Sequence, residues 1–194
     1  MSATWLILLL LAYLLGSVSF AVVLSRWGKL PDPRQFGSGN PGASNMLRLG
    51  GRPLAIGTLL GDAGKGALAV ALGTWLGLSS LQQGWLALAV IVGHMLPLFH
   101  QFRGGKGVAT AAGALLVLAW PLGLLCALLW AVIFAWQRMA SLASMFTCLA
   151  LLPLTLWLYP VLLPPISLLV ALILLRHRLN LGRLLTGNEP RFRR

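Results

Sequence analysis

Residues 102–107 read Phe102-Arg103-Gly104-Gly105-Lys106-Gly107 and lie between two apolar runs, 85–99 and 108–119. Two cations and three glycines at such a turn suit an anion. Glycine lets backbone N–H groups approach a ligand closely and permits positive φ. A helix starting just after the turn points its positive end at the same place. A phosphate is the natural occupant, although the same residues also suit a plain basic turn at a membrane surface. Three further segments are dense in polar side chains. Residues 37–48 mix turn residues with hydroxyls, amides and Arg48, a set suited to phosphate recognition. Ser44 or Asn45 is placed to cap the helix that carries Arg48. Residues 138–144 contain Arg138 and Ser141. Residues 176–189 contain His177 and Asn180, which share a face if the last helix continues through them. Flanked by arginines, His177 also reads as an ordinary membrane-interface residue. Glu189 is the one acid of a basic tail, and pairing with an arginine there would shape that tail.

The chain has only three acids, Asp32, Asp62 and Glu189. That scarcity argues against paired-carboxylate hydrolysis and against a Mg²⁺ cage, which needs oxygen ligands. It also argues against phosphotransferases built on several aspartates. His94 and His100 fall off one helical face and His177 stands alone, so no metal site is expected. Residues 61–66 read Gly-Asp-Ala-Gly-Lys-Gly, which is not a Walker A loop. The first glycine of that pattern is missing, and Gly66 replaces its Ser or Thr. Asp62 and Lys65 are i,i+3 neighbours on a helix, the spacing of an ion pair. Cys126 and Cys148 sit in apolar runs and read as packing residues, not a disulfide.

The elements that must position these groups are membrane helices. Of 194 residues 58% are hydrophobic and 9% charged, against the roughly 25% charged of a soluble domain. Continuous Leu/Ala/Val runs argue against a β-barrel, which alternates apolar and polar residues. The formal charge of +12 is better explained by basic cytoplasmic loops than by nucleic-acid binding. The apolar runs predict an all-α polytopic bundle of about seven spans, over residues 4–24, 53–78, 85–99, 108–119, 122–136, 142–158 and 166–175. Residues 53–60 are too short to span alone and are expected at the interface or re-entering. Basic residues follow the first span and none precedes it. The N-terminus is therefore expected outside and the C-terminus in the cytoplasm, with every Lys and Arg on the cytoplasmic side. The chain reads as a single integral membrane domain, residues 1–194.

Four motifs occur in order. They are Gly37-Ser38-Gly39-Asn40-Pro41-Gly42-Ala43-Ser44-Asn45 with Arg48; Gly61-Asp62 with Lys65-Gly66; Gly93-His94 through Phe102-Arg103-Gly104-Gly105-Lys106-Gly107-Val108-Ala109-Thr110; and Arg176-His177 with Asn180-Leu181, Arg183, Gly187 and Glu189. Together, over essentially the whole chain, they resemble the small bacterial acyl-phosphate:glycerol-3-phosphate acyltransferases of phospholipid synthesis, with Ser44 where threonine is common. The resemblance implies acyl transfer from acyl phosphate to the 1-hydroxyl of sn-glycerol 3-phosphate. The products would be lysophosphatidic acid and phosphate, made at a cytoplasm-facing site in the bacterial inner membrane. It implies Ser38, Arg48, His177 and Asn180 as catalytic or substrate-orienting residues. Asn40, Lys65, Gly104, Gly105, Lys106, Gly107 and Ser141 would bind substrate, and Glu189 would be structural. No cofactor, metal or nucleic acid is implied. Partners would be the two substrates, membrane lipid and, weakly, the enzyme that makes acyl phosphate. The proton acceptor stays open between His177 and the leaving phosphate. The alternative class is an organic-phosphate transporter, which would place its binding site near the midplane; here the polar motifs cluster at one face.

Overall fold

The computed structural model describes residues 3–192 and is all-helical among them. In chain order the helices are α1 (Ala3–Gly16), α2 (Phe20–Trp27), α3 (Ala43–Trp75), α4 (Ser80–Met95), α5 (Val108–Leu118), α6 (Trp120–Gln137), α7 (Ala140–Leu158), α8 (Leu163–Arg176) and α9 (Arg178–Leu185). Five segments are long and apolar enough to cross a membrane, the first being α1 and α2 taken together. The pair α8–α9, bent by 55°, makes a sixth candidate. Of the seven spans expected from the sequence, five or six meet this length and composition among the described residues, and α5 is the short one. Residues 108–119 form only the 11-residue α5, short of the ~20 residues that a span usually needs. Gly107, with φ 83°, ends the preceding loop, and Pro121 opens α6 immediately behind.

A correction concerns residues 53–60. They neither re-enter nor lie apart; they belong to α3. The break in α3 comes earlier, at Gly51 (φ 81°, ψ −171°), where an extended left-handed turn is cheap only for glycine. Pro53 follows at the start of the long inner piece, where its missing N–H leaves no bond unmade. The short outer piece carries Asn45 and Arg48. Its cap position is Gly42, with no side-chain cap, so neither Ser44 nor Asn45 serves as expected. The helix then runs unbroken through residues 61–66, and two of its three glycines there let neighbours come close. Gly61 lies against the Phe20 ring, and Gly66 against the Thr110 backbone.

Packing relies on such close approaches, since lipid offers no hydrophobic drive between helices. α3 lies along α5 and α1 along α4. A Cβ on Gly66 would strike the Thr110 carbonyl, and one on Gly113 the Ala63 carbonyl. Gly16 and Gly93 face each other in the same way across α1 and α4. Around these crossings Val90, Ile91, Leu122 and Leu162 fill the interior. Outward faces keep their leucines exposed, with Trp75, Trp120 and Trp157 near one end of the bundle and Trp27 and Trp136 near the other. That is the placement of interfacial aromatic belts. The polar loops meet at the Trp27 and Trp136 end. There Arg34 donates to the His100 carbonyl, Arg176 to Gly104 and Gly105, and the Phe192 N–H to the Arg138 carbonyl.

The Gly113 crossing gives a direct test. Gly113→Val should force α3 and α5 apart and cost about 1–3 kcal/mol, the usual range for overpacking. Thermal unfolding in detergent should show a lowered midpoint; an unchanged midpoint would mean that the close approach carries no weight.

Candidate active site

Lys65, read from the sequence either as half of an ion pair or as a substrate ligand, lies deep in the bundle. Its Nζ is 2.9 Å from Asp62 Oδ1, with both side chains almost wholly buried. It also donates to the carbonyls of Gly16 (2.9 Å) and Val18 (2.7 Å), where α1 breaks from α2. His94 Nδ1 on α4 lies 2.9 Å from the same nitrogen and 3.4 Å from Asp62 Oδ1. An ammonium has three hydrogens; the Gly16 and Val18 carbonyls and His94 Nδ1 take them, and Asp62 supplies the opposite charge. The ion-pair reading holds, and Lys65 is not brought to the loops where a substrate phosphate would sit.

His94 carries this buried cluster to the glycine loop. The Gly105 N–H donates to the His94 carbonyl at 3.1 Å. A Cβ on Gly104 would strike that carbonyl, and a Cβ on Gly105 would enter the His94 ring. From the other side Arg176 clamps the loop, with Nε on the Gly105 carbonyl (3.1 Å) and Nη2 on the Gly104 carbonyl (2.6 Å). Gln101 and Phe102 take left-handed φ of 56° and 58° to turn the chain into this position. Gly104 and Gly105 are therefore required for close packing whatever else they do, and an alanine at Gly105 would disturb the fold as well as any ligand.

Lys106 leaves the loop toward α9. Its Nζ donates to Asn180 Oδ1, and Asn180 Nδ2 donates to Glu189 Oε1 at 2.6 Å. Ser141 Oγ, on the first turn of α7, donates to the same carboxylate oxygen at 2.5 Å. Arg183 Nε holds the other oxygen at 2.8 Å. Burial alone would raise the Glu189 pKa, but hydrogen bonds from Ser141, Arg183 and Asn180 hold it below the usual carboxylate range. Burial pushes the Lys106 ammonium down to about 8, with Arg183, Arg176 and Arg48 adding to the effect against the pull of Glu189. An anion bound beside this lysine would favour its charged form.

His177 is buried at the junction of α8 and α9, three residues before Asn180. Its Nδ1 lies 2.8 Å from the Ile173 carbonyl. A carbonyl only accepts, so Nδ1 carries the hydrogen and Nε2 of the neutral ring presents a lone pair. Lys106, Ser141, Asn180 and Glu189 are thus brought into one network, with His177 beside it. Ser38 and Asn40 stay with their own loop. The Ser38 N–H donates to Asn45 Oδ1 at 3.2 Å, and Asn45 Nδ2 binds the Pro33 and Phe36 carbonyls at 2.8 and 2.9 Å. The Ser38 side chain is exposed, as is Arg48. The Arg48 guanidinium lies over the Phe192 ring at 5.2 Å.

Sequence reasoning overlooked Arg176, Arg183 and His94 as organisers of the site. Each lay inside a quoted motif. None was separable from ordinary interfacial cations or a non-ligating histidine until its partners were visible.

This geometry has close counterparts. The sequence model of the family described as glycerol-3-phosphate acyltransferase matches residues 6–187. Glycerol-3-phosphate acyltransferases of Pseudomonas paraeruginosa and Pseudomonas aeruginosa are each 54% identical over 188 residues, covering 97% of this chain and 99% of theirs. Among solved structures, PlsY (YgiH), an integral membrane glycerol 3-phosphate acyltransferase, superimposes in its glycerol 3-phosphate form with a TM-score of 0.92 and 36% identity. That match covers 98% of this chain and 96% of the other. The lysophosphatidic acid form of the same protein gives a TM-score of 0.90. With three of its polar motifs gathered at one end of a membrane helix bundle and the fourth buried inside it, the chain belongs to the glycerol-3-phosphate acyltransferase family.

Proposed function

We propose that this chain transfers an acyl group from acyl phosphate to the 1-hydroxyl of sn-glycerol 3-phosphate, releasing lysophosphatidic acid and phosphate. The observation that carries the reading is the Lys106–Asn180–Glu189 network beside the Gly104–Gly107 loop. It sits in a bundle whose solved counterpart is described in glycerol 3-phosphate and lysophosphatidic acid forms. Both substrates carry phosphate. Lys106 supplies positive charge, and Gly107 leads into α5, whose first N–H groups lack intrahelical partners. Arg48 binds phosphate from the opposite loop, and Ser38 and Asn40 line the same entrance. Asn180 and His177 orient the glycerol hydroxyl, with Glu189 and Ser141 fixing Asn180. The acyl tail lies along the apolar hollow between α3 and α6, lined by Leu47, Ile56, Leu59, Trp130 and Phe134.

Acyl phosphate is a mixed anhydride and already activated. The glycerol oxygen attacks the acyl carbonyl, an ester C–O bond forms and the acyl–phosphate C–O bond breaks. The protein needs no strong nucleophile of its own. Positioning two substrates and neutralising their charge supply most of the acceleration. The hydroxyl proton goes to the leaving phosphate, and His177 acts as a hydrogen-bonding partner. The reading makes residues 1–194 one acyltransferase domain of the bacterial inner membrane, with the N-terminus outside and the site open to the cytoplasm.

The activity is tested with purified protein, a long-chain acyl phosphate and glycerol 3-phosphate. Phosphate release and lysophosphatidic acid should both require the acceptor. Release at the same rate without acceptor would make the chain a hydrolase and end the proposal. Orientation is tested by cysteine labelling of intact cells. Ser80→Cys should react with an impermeant thiol reagent and Gln35→Cys should not, both positions being exposed in the structure; the reverse pattern would overturn the cytoplasmic site.

A further inference from the structure

The family match ends at residue 187, yet the chain just beyond it is held firmly against the site. Glu189 is fixed by Ser141, Asn180 and Arg183. Three residues on, the Phe192 N–H donates to the Arg138 carbonyl at 2.8 Å, at the corner between α6 and α7. The Phe192 ring meets Phe134 edge-on, at 5.6 Å between centroids and 69° between planes, and Phe134 stacks on Trp130 at 4.9 Å. The other interaction of the Phe192 ring is with Arg48, whose guanidinium carbon stands 5.2 Å from the ring centroid. The tail therefore crosses from the Lys106 network to the short outer piece of α3, and its last described residue is an aromatic platform under an exposed arginine.

We propose that Phe192 is a positioning residue for the acyl-transfer reaction, holding the Arg48 guanidinium in place for a substrate phosphate. The inference rests on the reading of Arg48 as a phosphate ligand. Arg48 lies just before the Gly51 break and its side chain is exposed. An arginine so placed has much rotamer freedom to lose on binding an anion. The ring face attracts the guanidinium through its quadrupole, a contact that uses none of the N–H donors needed for bidentate phosphate binding. The ring itself is aimed by Phe134 and by the Arg138 carbonyl, and neither is in the α3 piece that it serves. Glu189 and Phe192 thus divide the labour of one short segment, the first setting Asn180 and Lys106, the second setting Arg48.

The test is a substitution series read by steady-state kinetics. Phe192→Ala should raise the KM for phosphate-bearing substrate, or lower kcat/KM, by about two- to five-fold, the factor matching an exposed cation–π contact. Phe192→Leu keeps apolar volume and loses the π face, so it should resemble the alanine variant. Phe192→Tyr keeps the face and should stay near wild type. The loss should persist with a short-chain acyl phosphate, which does not depend on the apolar hollow that Phe192 borders. A leucine variant equal to wild type overturns the proposal, as does a tyrosine variant as poor as alanine. A defect confined to long-chain donors also overturns it, since Phe192 would then serve only as lining for the acyl tail. Thermal unfolding midpoints keep folding losses apart, because leucine and tyrosine both retain the packing against Phe134. Arg48→Ala, run alongside, isolates the underlying reading: if it keeps wild-type kinetics, Arg48 is not a phosphate ligand. If it is inactive while all Phe192 variants are normal, the positioning role alone fails.

Discussion

Asp62 and Lys65 put opposite charges inside the bundle, where either one alone costs several kcal/mol after relaxation. Such a pair persists only if its remaining hydrogen-bonding capacity is met. Here the lysine's share of that capacity is met by parts that would otherwise have no reason to meet, while Asp62 Oδ1 keeps only its ionic contacts with Lys65 and His94. The broken first span turns its Gly16 and Val18 carbonyls inward to the ammonium. α4 brings His94 to it, and the backbone and ring of His94 then define where Gly104 and Gly105 lie. The ion pair thus fixes the relation of α1, α3 and α4 and, through one histidine, seats the loop that carries Lys106. The small-residue crossings follow from the same constraint, because helices must approach closely for short polar groups to reach one another.

The second layer is polar and lies at the loop end. Glu189 is the one acid of the basic tail, and its two oxygens collect Ser141, Asn180 and Arg183. Its role is to turn Asn180 so that the amide oxygen takes Lys106, which keeps a lysine beside arginines in a defined position. A site for two phosphorylated substrates needs positive charge that does not collapse onto its own carboxylates. Few carboxylates, each used for geometry, and many cations left for ligands is an arrangement that achieves this. It also fits chemistry in which the substrate brings its own activation and leaving group.

Much of this was legible in the sequence. The helical membrane class followed from composition, three of the four motifs marked the loop end, and the i,i+3 spacing of Asp62 and Lys65 gave their pairing. The role of Glu189 beside an arginine was likewise readable, since a lone acid in a basic tail has few other uses. What stayed hidden was three-dimensional. The apolar run of α5 is continuous in the sequence, and its shortness, 11 residues between Gly107 and the start of α6, shows only in the structure. The Gly51 break could not be told from other glycines of the loop, so the long helix through Pro53 was divided in the wrong place. Lys65 shares glycine neighbours with true anion loops, and only its burial separates the two. His94 and Phe192 act through contacts with residues 11 and 144 positions away, which no local pattern records.

The central claim is that the protein positions two phosphates and charges, and that the leaving phosphate takes the hydroxyl proton. The pH dependence of turnover, with both substrates saturating and chemistry limiting, tests it most directly in wild type and His177→Gln. The account predicts that the glutamine variant is slower but keeps the acidic limb, because substrate ionisation sets that limb and the amide still bonds the hydroxyl. Loss of an ionisation near that of histidine, together with a fall of about 10²–10⁴-fold, the range of a single general base, would contradict the account and make His177 the base.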